Sequence, residues 1–155
     1  MADLQEIEAI KRLKYTYLRC LDLKQWAEMA ECFTEDATAA YGDGKYSFAG
    51  RDKIMQFLRD ALGGRNIISS HRVQQPEIDL VSATAATGVW ALDDTVIETQ
   101  SSSVIRGAAF YHDEYVKIGG QWKIKSTGYQ RLFEERLSRN DTPSWRLTVN
   151  RWAAQ

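Results

Sequence analysis

The sequence predicts an α+β domain in which a curved antiparallel sheet forms a cone-shaped barrel against helices from the N-terminal part of the chain. Apolar residues recur at three- and four-residue steps through residues 4–62, which is the period of amphipathic helices. From Ile67 onward the pattern changes to four long strand-like runs separated by short turns, which is typical of an antiparallel meander. Helices followed by consecutive strands argue against a doubly wound parallel sheet.

Three helices are predicted before the sheet. The first begins at about Asp3 as its N-cap. Its apolar stripe consists of Leu4, Ile7, Ile10, Leu13, Tyr17 and Leu21. A second, shorter helix stops near Thr34, and the residues DATAAY then form a strand that ends at a GDGK turn. The third helix spans 50–62 and ends at Gly63 and Gly64.

The predicted meander has four strands. They are the runs IISSHRVQQPEIDL, TAATGVWALDDTVIE, VIRGAAFYHDEYVKI and QWKIKSTGYQRLFEER. The domain is therefore expected to span 1–137, with 138–155 as a C-terminal extension. The extension contains Trp145 and Trp152, whose apolar surface needs a cover. It either folds back on its own domain or crosses to a neighbouring subunit.

Composition and charge exclude several classes of function. The 155 residues suit one domain, and the net charge is −1 with both signs interspersed. We therefore expect no nucleic acid or membrane partner. Cys20 and Cys32 match neither a disulfide framework nor a zinc spacing, so we expect buried thiols in a reducing compartment. Because the first residues do not resemble a secretory signal, a cytoplasmic location is predicted.

Five polar residues lie in segments whose apolar pattern aims them inward. They are Tyr17, Asp22, His71, Asp94 and Arg131. His71 opens the first long strand, and antiparallel pairing brings it toward Asp94 near the end of the next strand. We therefore expect a dyad in which Asp94 fixes the tautomer of His71, and His71 acts as general base and acid. Tyr17 can donate a hydrogen bond to a carbonyl that is becoming an enolate.

Each of these residues also has a purely structural explanation, and both explanations stay open. Asp94 could lie past the sheet edge in solvent, and Asp22 could cap the first helix. His71 could be a structural histidine. Arg131 is expected to pair with Asp22 or Asp94 in either case. His112, between a tyrosine and two acidic residues, is expected on the solvated face of the sheet.

Neither a metal nor a nucleotide-type cofactor is predicted. HExxH, CxxC, GxSxG, P-loop and GxGxxG motifs do not occur in a fitting context. Two distant histidines do not form a metal site.

Three stretches resemble the SnoaL-like branch of the nuclear transport factor two superfamily, and most closely its bile acid dehydratases. They are IEAIKRLKYTYLRCLDLKQW, HRVQQPEIDLVSATAATGVWALDD and GAAFYHDEYVKIGGQWKIKSTGYQRLFEER. Scytalone dehydratase and ketosteroid isomerase are more distant members. The resemblance implies an active site lined by Tyr17, Asp22, His71, Asp94 and Arg131, with Tyr41 and Trp90 at the substrate. The chain lacks the second pocket histidine of the fungal scytalone dehydratases.

The resemblance also implies a reaction. The expected enzyme is a cofactor-independent dehydratase that eliminates water from a β-hydroxy carbonyl of a hydrophobic, polycyclic or steroid-like substrate through an enolate. An isomerase or polyketide cyclase with the same pocket is one alternative, and a non-catalytic binding or assembly subunit is another. The strand GAAFYHDEYVKI and the tail aromatics Trp145 and Trp152 carry apolar surface that predicts a closed homo-oligomer. The resemblance implies a trimer, with a dimer as the second choice.

Overall fold

The computed structural model describes residues 2–153 and consists of N-terminal helices followed by a six-stranded sheet. The elements are α1 (Ala2–Asp22), α2 (Trp26–Ala30), β1 (Phe33–Tyr41), β2 (Tyr46–Ala49), α3 (Arg51–Leu62), β3 (Ile67–Leu80), β4 (Ala85–Glu98), β5 (Ser103–Ile118) and β6 (Gln121–Ser138). The predicted α+β fold is confirmed. Helix α1 already includes Ala2, so Asp3 lies in its first turn and is not the N-cap.

The strand order is β2-β1-β6-β5-β4-β3. The meander from β3 to β6 is antiparallel throughout, as predicted. Strand β1 runs parallel to β6, so the curved sheet is mixed, and it remains open between β2 and β3. The parallel pairing joins segments far apart in sequence, Thr38 with Ser126 for example, and no local pattern sets its direction. Strand β2 was not predicted at all.

The inner face of the sheet packs against the helices. Helix α1 lies mainly over β3, and α3 lies mainly over β1. The stripe of α1 is buried at Ile10, Tyr17 and Leu21, whereas Leu4 is exposed. Strand β5 alternates between buried and more exposed residues from Gly107 to Tyr115, the period of two expected for a half-buried strand. Because the two helices cover different strands, space remains between α3 and the inner face.

Both cysteines are free and buried, as predicted. Burial raises the pKa of Cys20 to about 11 and that of Cys32 to about 12, so neither thiol ionises near neutral pH. No helix within residues 2–153 is both long enough and apolar enough to cross a membrane.

The tail after β6 returns to its own domain at its far end. The Arg65 side chain donates to the carbonyl oxygens of Trp152 and Ala153, at 3.2 and 3.1 Å. The Lys24 ammonium lies 4.9 Å from the centroid of the Trp152 ring. Trp145, by contrast, is 68% exposed. Part of the apolar surface of the extension is therefore covered by its own domain, and part is left uncovered.

Candidate active site

A cavity of about 330 Å³ opens between α3 and the inner face of the sheet. Its apolar wall includes Tyr41, Phe57, Leu58, Leu62, Ile67, Val96, Ile105 and Tyr129. Its polar lining consists of His71, Glu98, Asp94, Ser103, Arg131, Glu134 and Arg136. An apolar cleft with a few convergent polar groups is the usual form of a small-molecule site, and this volume is near the lower end of the range for ligand pockets.

The carboxylate of Asp22 holds His71 at the edge of this cavity. The Nδ1 atom of His71 lies 2.7 Å from Oδ1 of Asp22. The same carboxylate accepts the His71 backbone N–H at 2.7 Å and the Ser69 hydroxyl at 2.8 Å. An ionised carboxylate only accepts hydrogen bonds, so in the neutral imidazole Nδ1 carries the proton and Nε2 has the lone pair. No hydrogen bond joins Nε2 to another described residue, which leaves it available as a base.

The expected partnership of His71 with Asp94 is therefore corrected to one with Asp22. His71 and Asp94 do face each other across β3 and β4, as antiparallel pairing predicted. However, both oxygens of Asp94 are taken by Arg131. A guanidinium is always charged and binds a carboxylate through two parallel hydrogen bonds, which makes it the stronger partner. Asp22, the last residue of α1, reaches His71 from the helix end.

Arg131 and Asp94 form an ion pair in the wall of the cavity. Nη1 of Arg131 donates to Oδ1 of Asp94, and Nη2 donates to Oδ2 at 3.0 Å. The Nε atom lies 3.3 Å from Oε2 of Glu134. Burial lowers the pKa of Arg131, but the hydrogen bonds and charge of Asp94 outweigh it, so the net pKa lies above the ordinary value. The guanidinium therefore stays charged beside the cavity.

A glycine and a bulge allow this pair to form across the intervening strand. Gly107 of β5 faces Asp94 on one side and Glu134 on the other. A Cβ atom on Gly107 would lie 2.5 Å from the Phe133 carbonyl oxygen and 2.9 Å from Nη1 of Arg131. The register of β5 and β6 shifts between Ala108 and Ala109, so one residue of β6 is extra there. Beyond this bulge the inner face presents Glu134 to the cavity and not Phe133.

Two tyrosines meet at the other side of the cavity. The hydroxyl groups of Tyr17 and Tyr41 lie 3.0 Å apart. Tyr41 lines the cavity, whereas Tyr17 is fully buried behind it and does not. Burial raises the pKa of both phenols, so both remain protonated donors at neutral pH. The expectation that Tyr17 itself faces the substrate is thus modified, because Tyr41 lines the cavity and Tyr17 contacts the Tyr41 hydroxyl from behind.

Trp90 lies outside the cavity. It shares the inner face of β4 with Asp94, as the alternation predicted, but it pairs with Tyr111 farther along the strand. Its indole Nε1 donates to the Tyr115 hydroxyl at 3.0 Å, and its ring meets Tyr15 of α1 edge-on. The alternation of a strand predicts which face a residue occupies, but not how far along the strand it lies from the site. Trp90 therefore lies on the predicted face but away from the predicted substrate site.

Sequence reasoning missed a second polar group on the same inner face. The Lys14 ammonium lies 2.7 Å from Oδ2 of Asp113, and both side chains are fully buried. Asp113 also accepts the hydroxyl hydrogens of Tyr115 at 2.7 Å and Thr127 at 2.6 Å. We call these four residues the closed cluster, and His71, Asp22, Asp94 and Arg131 the open cluster. Lys14 lies on the α1 stripe, four residues after Ile10, so the signal was present in the sequence.

Within residues 2–153 no group of three or more histidine, cysteine or acidic side chains is arranged to hold a metal ion. Asp22 and Asp94 are each engaged by other side chains. The absence of a cofactor remains a prediction of the sequence.

Comparison with known proteins identifies the family to which this chain belongs. The model of the SnoaL-like domain matches residues 2–128. A candidate scytalone dehydratase from Novosphingobium aromaticivorans is 28% identical over 87% of this chain and 91% of that chain, with a TM-score of 0.80. The type 3 LinA hexachlorocyclohexane dehydrochlorinase from Novosphingobium barchaimii is 20% identical, with 88% and 92% of the two chains covered and a TM-score of 0.78. ActVI-ORFA from Streptomyces coelicolor is 17% identical, covering 83% and 98%, with a TM-score of 0.70. The last two likenesses concern the fold alone, whereas the match over residues 2–128 shows that the chain belongs to the SnoaL-like domain family.

Proposed function

We propose that the protein is a cofactor-independent lyase that eliminates water from a β-hydroxy carbonyl of a hydrophobic, polycyclic substrate. One observation supports this most directly. His71, held through Nδ1 by Asp22, borders a cavity that Tyr41 and Arg131 also line. A positioned base and a hydrogen-bond donor are the parts needed to remove a proton beside a carbonyl. The likeness to a candidate scytalone dehydratase supports water as the leaving group.

His71 performs the proton transfers in this proposal. Its Nε2 atom removes the proton from the carbon next to the carbonyl, while Asp22 stabilises the imidazolium that forms. The C–O bond to the β-hydroxyl then breaks and a C=C bond forms. The imidazolium returns its proton to the departing hydroxide, so one water leaves and His71 regains its starting state.

Tyr41 stabilises the enolate. Its hydroxyl donates to the carbonyl oxygen as negative charge develops there, and the Tyr17 hydroxyl, 3.0 Å away, is then free to donate to Tyr41. Hydrogen bonds in such a chain polarise one another, which strengthens the outer donor. Removing one donor of this kind typically costs about 2.7 to 4 kcal/mol of transition-state stabilisation. Arg131 keeps N–H groups beyond those that bind Asp94, and these can face the departing oxygen.

The wall of the cavity supports an apolar ring system as the substrate. Phe57, Leu58, Val96 and Ile105 cover the space around the polar groups. A volume of about 330 Å³ holds the reacting rings, and a steroid-like body would extend through the mouth. Glu134 and Arg136 at that mouth would meet its outer end.

A matched pair of variants tests the proposal. The enzyme is incubated with a panel of polycyclic β-hydroxy ketones, and loss of one water is followed by mass. Asp22→Asn should lower the rate more than Asp94→Asn, because Asp22 sets the His71 tautomer. Equal rates for the two variants would remove the dyad from the mechanism.

The same panel separates the alternatives. An isomerase or polyketide cyclase uses the same base and donor but gives products of unchanged mass. A binding or assembly subunit binds these compounds without converting them. Product mass therefore decides between the three classes, and turnover without water loss would overturn the lyase proposal.

We also propose a closed homo-oligomer, with a trimer ahead of a dimer. The outer surface leaves several large apolar side chains exposed, namely Phe110, Leu132, Phe133, Trp145 and Val149. Exposed apolar patches of this kind tend to be interfaces. Light scattering at micromolar concentration measures the mass, and a monomer would refute the interface. A truncation before Trp145 that leaves the oligomer intact would show that the tail does not hold it.

A further inference from the structure

The closed cluster borders the tyrosines of the cavity. The Lys14 ammonium lies 3.4 Å from the centroid of the Tyr111 ring and 5.0 Å from that of Tyr17. The Tyr17 hydroxyl in turn forms a hydrogen bond with the hydroxyl of Tyr41, and Tyr41 lines the cavity. The two clusters are thus joined by a short path of aromatic side chains.

The hydrogen bonds indicate that Lys14 and Asp113 are both ionised. The Trp90 indole can only donate, so the Tyr115 oxygen accepts its hydrogen and the Tyr115 hydrogen goes to Oδ2 of Asp113. The Thr127 hydroxyl donates to Oδ1. A hydroxyl hydrogen thus points at each oxygen of Asp113, and Nζ of Lys14 lies 2.7 Å from Oδ2, so three donor groups surround the carboxyl and favour its ionised form. Burial lowers the pKa of Lys14, while the charge and hydrogen bond of Asp113 raise it, so each charge depends on the other. The cluster is therefore an ion pair in which Lys14 is the positive partner.

The pair has a fixed direction relative to the cavity. Along the inner face of β5 the order from the cavity is Gly107, Ala109, Tyr111 and Asp113. Lys14 lies over Tyr111 and Asp113 lies beyond it, so the positive end points toward the cavity. Water is excluded there, since both side chains are fully buried. Charges act over longer distances in such a medium than in water.

Stability alone gives little reason for this arrangement. A buried ion pair loses the hydration of two charges, and apolar side chains of similar volume often stabilise a protein equally well. We propose that the Lys14–Asp113 pair is an oriented dipole that strengthens the Tyr17–Tyr41 donor and thereby stabilises negative charge in the cavity. Both residues act through the tyrosines, so they are positioning residues and not catalytic ones. The inference rests on the proposed function, because it assigns the pair a role at the enolate.

A naphthol probe tests the inference without knowledge of the substrate. 2-Naphthol fits an apolar cavity, and its absorbance distinguishes the neutral form from the naphtholate, whose oxygen resembles that of an enolate. The fraction bound as naphtholate is measured at fixed pH for the full chain. We expect the wild-type protein to bind a larger ionised fraction than buffer alone contains. Tyr41→Phe should lower that fraction.

Two variants of the closed cluster should lower the ionised fraction by different amounts. Lys14→Met/Asp113→Asn removes both charges and should lower the naphtholate-to-naphthol ratio about two- to fivefold, as expected for a buried dipole at an effective dielectric constant of ~20. Lys14→Met alone removes only the positive end and leaves the Asp113 carboxylate with its hydrogen bonds from Tyr115 and Thr127, so it should lower the ratio further than the double variant does. Unfolding curves confirm that each variant is folded. Either variant decides the matter by itself if the other does not fold.

The outcomes separate this inference from the proposed function. A wild-type protein that binds no naphtholate, or a Tyr41→Phe variant that binds as much, would refute Tyr41 as the enolate donor. A decrease with Tyr41→Phe and no change with either variant of the closed cluster would overturn the dipole alone. A merely structural role for Lys14 and Asp113 predicts the wild-type naphtholate-to-naphthol ratio in both variants.

Discussion

The open and closed clusters lie on the same inner face of the sheet and use the same kind of pairing, but their surroundings differ. In the closed cluster both Lys14 and Asp113 are fully buried, and the side chains of Lys14 and Tyr17 extend from α1 to Tyr111 of β5. In the open cluster the His71 side chain is 9% exposed and that of Asp22 is 20% exposed. There β5 contributes Ser103 and Ile105 to the cavity wall, and Gly107 has no side chain to fill the space beside Asp94.

This difference in burial indicates that the closed cluster matters more for stability and the open cluster more for chemistry. Ions at the closed end are shielded from solvent, so losing one partner leaves an uncompensated buried charge. Polar groups at the open end can contact a ligand, so losing one of them affects chemistry more than stability. The predictions below separate the two regions by measuring both activity and unfolding.

The largest expected effect is on activity at the open end. His71→Ala should lower the rate of water elimination by about 10² to 10⁴, the range for general acid and base catalysis. His112→Ala is the matched control, because His112 is exposed on the outer face of β5 as predicted. Initial rates on the best substrate of the panel measure both. Equal losses in the two variants would remove His71 from the role of base.

The next effect is on stability at the closed end. Lys14→Met leaves Asp113 buried without its cation and should lower the free energy of unfolding by about 3 to 5 kcal/mol. Lys117→Met is the control, since Lys117 pairs with Glu6 at 2.7 Å but both side chains are partly exposed. That change should cost about 1 kcal/mol or less. Denaturant unfolding measures both, and similar losses would show that burial does not distinguish the pairs.

The sequence predicted that Tyr17 and the residues of the open cluster point inward, but it predicted neither the pairings of the open cluster nor the closed cluster. The helical period placed Tyr17 inward, and the strand period placed Asp94 on the inner face, since both depend on local repeats. The choice of Asp22 as partner of His71 depends on how the end of α1 lies over β3. Arg131 reaches Asp94 because of a bulge in β6 and the absence of a side chain at Gly107. Such features depend on contacts between distant segments, which a single local pattern does not contain.

Lys14 shows a different limit. Its position on the α1 stripe was visible, but a lysine on an apolar stripe can also extend its ammonium to solvent. Only the pairing with Asp113, a residue of β5 that is distant in the sequence, fixes it inside. The partner strand therefore decides whether a polar residue on an apolar face is buried.

A smaller effect is expected where the open cluster spans β5. Gly107→Ala should destabilise the protein by about 1 to 3 kcal/mol, because the new methyl group meets the Phe133 carbonyl and the Arg131 guanidinium. Activity should fall as Arg131 is moved from Asp94. Ala108→Ser, on the opposite face of β5, should change neither property. Thermal unfolding and rate measurements on both variants check this, and an unaffected Gly107→Ala enzyme would show that the space is not needed.

The smallest effect concerns the rim of the cavity and depends on pH. Glu98 accepts the backbone N–H groups of Gln100 at 2.9 Å and Ser101 at 2.5 Å, and the Asn66 side-chain amide at 2.6 Å. Hydrogen bonds from Ser101, with those from Asn66 and Gln100, lower the pKa of Glu98 from 4.5 to about 2. A pKa lowered by folding means that the carboxylate stabilises the fold above pH 4.5 and that this contribution is lost as the pH falls toward 2.

Glu98→Gln tests this contribution. The wild-type protein should be more stable than the variant at pH 6, and the difference in unfolding midpoint should shrink between pH 4.5 and about 2. Glu114→Gln serves as the control, because Glu114 is exposed on the outer face of β5 and makes no hydrogen bond to another described residue. A difference that stays constant over this pH range would show that the rim of the open end is held by neutral contacts and not by the charge of Glu98.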